Sequence, residues 1–227
     1  MFTDRFRPVR YLILSLPIVA LVAFSINRNA ISSSIPEPKV GISISVAAME
    51  GKQTAILAGG CFWGMEAVFE HVKGVSEVVS GYSGGDEKTA NYDRVSSGKT
   101  DHAEAVKIVY DPTQISYAQL LKIYFSVAHD PTQIDRQGPD KGPQYRSTIF
   151  FTSNEQRQIA ANYIAQLNQS KAFSRLIATQ LVSLDTFYAA EPEHQNFLVH
   201  NPKHPYIVYH DLPKLEKLRK QFPDLYQ

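Results

Sequence analysis

Residues 54–70 read TAILAGGCFWGMEAVFE, and this stretch decides how the chain begins to fold. Residues 54–58 form a short apolar run closed by Gly59 and Gly60, the pattern of a buried strand. From Phe62 onward the apolar positions 62, 65, 68, 69 and 72 fall at helical spacing, and Gly74 closes the segment as a C-cap. Cys61, the one cysteine of the chain, therefore stands at a strand-to-helix junction. A thiol there faces unpaired N–H groups and the positive end of the helix dipole, both of which favour the thiolate. The aromatic pair Phe62 and Trp63 could wall a pocket beside the sulfur. A reactive cysteine and an inert buried one both satisfy this pattern.

Outward from that junction the elements alternate. Residues 75–82 and 103–110 read as strands, residues 116–128 as a helix capped by Ser116, and residues 146–151 as a strand. Asn154 opens a helix to about residue 169. Residues 179–188 read as a further strand, and 192–198 and 212–222 as short helices. The order β-α-β-β-α-β predicts an α+β fold, a ferredoxin-like two-layer sandwich with additional elements. Residues 129–144 form a long irregular connection, a length that is usually functional inside a compact domain.

The N-terminus is of another character. Arg5, Arg7 and Arg10 precede an uncharged apolar run over residues 11–26. That layout is a signal peptide or an N-terminal membrane anchor, with a buried core helix as the alternative. Ala23 and Ser25 would place cleavage after Ser25. Export or membrane tethering through residues 11–26 is expected. Residues 27–53, rich in Ser, Pro, Gly and Ala, read as a linker, so the domain is expected over 54–227.

The 227 residues suffice for one sizeable core, and a net charge of +1 with dispersed Lys and Arg gives nucleic-acid binding no electrostatic support. One cysteine excludes an intrachain disulfide and any multi-cysteine metal site. The spacing of His200 and His204 is broken by Pro202, so no metal is expected. Glu104 shares its strand face with Val106, Ile108 and Tyr110. On that apolar face its pKa should rise, which suits a general acid; a strand-end glutamate reaching solvent is the alternative. Tyr92 in a polar stretch, Tyr145 at a strand entrance and Asp140 in a Pro/Gly loop read equally as a surface ring, core packing and a turn residue. His102 or His194 could serve Cys61 as the base of a Cys-His hydrolase or acyl transferase, and Phe62 with Trp63 could instead form a non-catalytic methionine-binding module.

The string GCFWGMEAVFE (60–70) resembles the signature of the A-type peptide methionine sulfoxide reductases. The similarity continues through GVSEVVSGYSGG (74–85), SGKTDHAEAVKIVYDP (97–112), HDPTQ (129–133), QGPDKGPQYRSTIFF (137–151) and FYAAEPEHQNFL (187–198). The resemblance implies that Cys61 attacks the sulfoxide sulfur and that Glu104 protonates its oxygen. It implies that Tyr92 and Tyr145 hydrogen-bond that oxygen, that Asp140 organises the site and its water, and that Phe62 and Trp63 receive the methyl group. It also implies the S epimer, in free methionine sulfoxide or oxidised proteins. No bound cofactor is expected, and the product is a sulfenic acid that thiols reduce. Two departures are Asp101, where the family often has glycine, and Pro139, where asparagine is frequent. A larger departure is the missing second cysteine. An external thiol, thioredoxin or glutathione with glutaredoxin, is therefore expected as the reductant. A monomer is expected.

Overall fold

The computed structural model describes Met1, residues 35–39 and residues 51–227. The segment expected as signal or anchor and most of the stretch read as linker lie outside the described residues. Strand β1 (Gln53–Ala58) leads through Gly59 and Gly60 into helix α1 (Phe62–Glu70), followed by β2 (Val75–Ser83). Helix α2 (Tyr92–Ser96) interrupts the polar stretch before β3 (Ala103–Tyr110). Helix α3 (Tyr117–Ile123) starts at a capping box of Ser116 and Gln119 and ends in a π-turn over Tyr124–Ala128. The long connection that follows is not irregular throughout. It holds a small hairpin, β4 (Arg136–Gln137) with β5 (Asp140–Lys141). Strand β6 (Thr148–Phe151) and helix α4 (Asn154–Gln169) complete the core pattern.

Strands β6, β1, β3 and β2 lie side by side in that order, all antiparallel, which is the ferredoxin-like arrangement. The α+β expectation therefore holds. The strand expected over 179–188 does not form as one element. It divides into β7 (Gln180–Ser183), parallel to β6 at one sheet edge, and β8 (Phe187–Ala189), antiparallel to β2 at the other. Only residues 184–186 join the two edges. A flat six-stranded sheet would separate its edge strands by roughly 24 Å at about 4.8 Å per strand, whereas the linking residues reach about 15 Å at most. The sheet must therefore curl. Ile56, Ala58, Ala103, Ala105 and Phe150, packed by Leu184 and Phe187, form a small apolar cluster separate from the main core. The main core takes the other face of β3 with α1, α3 and α4.

Helix α1 is buried along most of its length, with Phe62, Met65, Val68 and Phe69 inaccessible. The chain's end covers it: α5 (Phe197–His200), a π-turn over Ile207–Asp211, and α6 (Leu212–Gln221). Residues 35–39, inside the stretch read as linker, are docked on the domain. Ile35 is buried, Tyr163 Oη donates to the Pro36 carbonyl at 2.8 Å, and Gln166 bonds both Glu37 and Lys39.

Candidate active site

Cys61 is the N-cap of α1 and is buried. Its approach depends on Gly60, which has φ +97° and where a Cβ would lie 2.6 Å from a Gln137 side-chain carbon. The first free amide of the helix does not serve the sulfur. Glu104 takes it, its Oε2 accepting from the Phe62 N–H at 3.0 Å. Glu104 is 1% exposed, so it points into the core as its strand parity predicts and does not reach solvent. Burial pushes its carboxyl up to about 8, against the Phe62 N–H and with help from Asp140. The thiol is also raised, by burial first and then by Glu104 and Asp211, while the Trp63 N–H and Lys214 oppose. The helix end still favours the thiolate through the Trp63 N–H, as the sequence argument expects, but burial, Glu104 and Asp211 act against it. With Glu104 on the helix end and the sulfur buried, the resting group is a thiol.

The remaining expected residues converge on this pair from separate elements. Tyr92 opens α2, its N–H held by Glu191 Oε1 at 2.9 Å and its ring stacked on His194 at 4.1 Å. Tyr145 ends a 3-10 turn (Pro143–Tyr145) beyond the hairpin. Burial, then Glu104 and Cys61, raise the Tyr92 hydroxyl to about 12. Burial followed by Glu104, Asp140 and Cys61 raises that of Tyr145 as well. Both phenols are therefore neutral donors within the field of the thiol and the carboxyl. Asp140 lies in β5 and accepts from the Tyr206 hydroxyl. Phe62 is fully buried between Tyr82 and Tyr92, with ring centroids at 5.7 and 6.4 Å. Trp63 is stacked on Phe197 at 3.6 Å, nearly parallel, and its indole N–H donates to His194 Nδ1 at 3.2 Å.

Several participants escaped the sequence reading. Glu191 ties Tyr92 to Tyr82, whose hydroxyl it accepts at 2.9 Å. Phe197 and Tyr206 enclose Trp63, and Asp211 with Lys214 lies against α1 at Gly64. The string 187–198 carried the resemblance, yet nothing in its composition assigned roles to Glu191 or Phe197. The two histidines weighed as hydrolase bases are engaged elsewhere: His102 Nε2 with the Asp86 carbonyl, and His194 Nδ1 with Trp63. Among the described residues no group of three or more His, Cys, Asp or Glu side chains is placed to hold a metal ion.

A buried thiol, a carboxyl that keeps its proton near neutrality, neutral phenols and aromatic walls can attack at one atom while protonating the atom that leaves. That is the equipment of a thiol-dependent oxidoreductase acting on an apolar group with a poor oxygen leaving group. The family model described as peptide methionine sulfoxide reductase matches residues 53–226. The peptide methionine sulfoxide reductase MsrA 2 of Synechocystis sp. is 55% identical over 206 residues, covering 91% of this chain and 96% of that protein. The MsrA 2 of Mesorhizobium japonicum is 56% identical over 179 residues, covering 79% and 92%. Among solved structures, methionine sulfoxide reductase A of Corynebacterium diphtheriae aligns with a TM-score of 0.60 at 34% identity, covering 74% of this chain and 84% of that one. Reduced Mxr1 of Saccharomyces cerevisiae aligns with a TM-score of 0.62 at 33% identity, covering 67% and 87%. The chain belongs to the peptide methionine sulfoxide reductase family, in its A type. It is an oxidoreductase acting on methionine sulfoxide, and neither the hydrolase nor the binding-module reading finds support.

Proposed function

We propose that the enzyme reduces the S epimer of methionine sulfoxide, free or in oxidised proteins, through Cys61. Sulfur attacks sulfur. Cys61 displaces the sulfoxide oxygen, which Glu104 protonates while Tyr92 and Tyr145 donate to it. Phe62 and Trp63 receive the methyl group, and Asp140, bonded to Tyr206, orders the polar end of the site. The oxygen leaves as water, carrying the Glu104 proton and the proton of the Cys61 thiol. Water then attacks the Cys61 sulfur, the new sulfur–sulfur bond breaks to release methionine, and the spare proton returns to Glu104. A cysteine sulfenic acid remains, so the sulfoxide is reduced by two electrons as the cysteine is oxidised by two. One external thiol then forms a mixed disulfide with loss of water, and a second releases Cys61 as a thiol. The single observation that carries this reading is the buried Glu104 carboxyl on the Phe62 N–H, which keeps its proton up to about pH 8 beside Cys61.

The absence of a second cysteine supports an external reductant, thioredoxin or glutathione with glutaredoxin. The arginines ahead of residues 11–26 support export or a membrane tether. A monomeric catalytic domain over 54–227 completes the proposal. Reductant-free single turnover on the S sulfoxide of a methionine peptide tests it by mass spectrometry. One methionine and one Cys61 sulfenic acid per chain are expected, and Cys61→Ser should form no methionine. Reduction retained in Cys61→Ser, or no external thiol able to restore turnover, would overturn it.

A further inference from the structure

The chain's end carries an ion pair onto the first turn of α1. Asp211 is 1% exposed and accepts from Lys214 Nζ at 3.1 Å. The pair lies directly on Gly64. A Cβ built there would be 2.1 Å from Asp211 Oδ1 and 2.6 Å from Lys214 Nζ. Gly64 lies in the turn that Cys61 caps, which the Met65 N–H closes by donating to the Cys61 carbonyl at 3.5 Å. The pair therefore flanks the sulfur from the C-terminal segment, whereas Glu104 approaches from the sheet. Asp211 Oδ2 is buried with no hydrogen-bond partner among the described residues. A carboxyl oxygen left unpartnered in the interior is costly to stability and calls for an explanation.

We propose that Asp211 and Lys214 are positioning residues that set the charge of Cys61 in opposite senses, the carboxylate favouring the thiol and the ammonium favouring the thiolate. The inference rests on the reading of Cys61 as the nucleophile. Its chemical reason is the solitary cysteine. With no second cysteine in the chain to take the leaving role, each cycle ends with Cys61 departing as a thiolate from a mixed disulfide, and a nearby cation makes that departure faster. A resting thiol in turn resists unwanted oxidation. The directions agree: Asp211 raises the Cys61 thiol and Lys214 lowers it.

Other charged and titratable groups face the same sulfur and its flanking pair. Glu104 comes from β3, Tyr92 from α2, and Tyr145 and Asp140 from the hairpin region. Tyr206 and His210 precede Asp211 on the C-terminal segment, and His129 lies behind Gly59 within reach of Lys214. Of these, Tyr206 feels Asp211 and His129 feels Lys214, each after burial as the main cause, so opposite shifts of Cys61 reactivity for the two charge removals are what read the pair.

The test is the pH dependence of Cys61 alkylation by iodoacetamide in the full chain, without sulfoxide or reductant. In Asp211→Asn the midpoint should fall, and in Lys214→Met it should rise, each by about one pH unit, equivalent to about a tenfold change in rate below the midpoint. Lys214→Arg should leave it unchanged. Thermal melts accompany each variant. Should Asp211→Asn not fold, the contrast between Lys214→Met and Lys214→Arg decides, because both alter only the partly exposed partner. Midpoints that stay fixed, or move in the same direction for both charge removals, overturn the inference. Because alkylation requires no sulfoxide, that failure is distinct from a failure of the catalytic reading, which would appear as sulfoxide reduction by Cys61→Ser.

Discussion

Glu104 has its side chain in the core and one oxygen on the Phe62 N–H, and it titrates near 8 instead of 4.5. In its proposed role as the acid to the departing oxygen it must carry its proton, so kcat/KM should fall as pH rises through about 8. Glu104→Gln should lower kcat by about 10²–10⁴-fold, and single-turnover profiles should show that limb abolished. The same shift has a linkage consequence. The folded pKa exceeds the unfolded one, so the native state keeps a proton that the unfolded chain releases, and stability falls as pH rises from 4.5 to about 8. Thermal melts should therefore show Glu104→Gln gaining on the parent protein across that window and levelling above it. Glu104 was legible because strand parity placed it among Val106, Ile108 and Tyr110. Tyr206 was not legible, since a tyrosine in a proline-broken tail has no periodicity to say what it faces.

At the scale of elements, the first turn of α1 is a crossing point. Cys61 caps it, Glu104 takes its first amide, and Gly64 admits Asp211 and Lys214. Gly64→Ala should destabilise the fold by about 1–3 kcal/mol in denaturant titrations, despite the gain in helix propensity. A Cβ cannot share space with a carboxylate oxygen at 2.1 Å, so the buried Asp211 side chain and its partner Lys214 must shift. The strand-Gly-Gly-Cys-helix boundary was readable because a short apolar run, two glycines and helical spacing follow in order. The division of 179–188 was not, because β-forming residues look alike whichever sheet edge they pair with. The hairpin at 136–141 likewise has strands of two residues each, too short to leave an alternation in the sequence.

Across the whole molecule, the curl of the sheet brings β8 to β2 and so delivers Glu191 to the base of the site. Glu191 accepts from both the Tyr92 N–H and the Tyr82 hydroxyl. Glu191→Ala should reduce kcat through loss of Tyr92 placement and lower stability by a few kcal/mol, since hydrogen bonds to charged groups contribute about 1.5–3 kcal/mol each. The Cys61 alkylation midpoint should stay unchanged, separating this role from that of the Asp211–Lys214 pair; steady-state kinetics alongside alkylation checks both. By itself the sequence determined the order of the core strands and helices, the junction that presents Cys61, the core-facing Glu104 and the lack of an internal partner for Cys61. These follow from local periodicity, parity and a count of one cysteine. Only the tertiary structure decided that the helix amide goes to Glu104, that the sulfur rests as a thiol, and that residues 187–214 complete the site. Those outcomes depend on burial and on contacts between segments as far apart as Trp63 and His194, which no local pattern encodes.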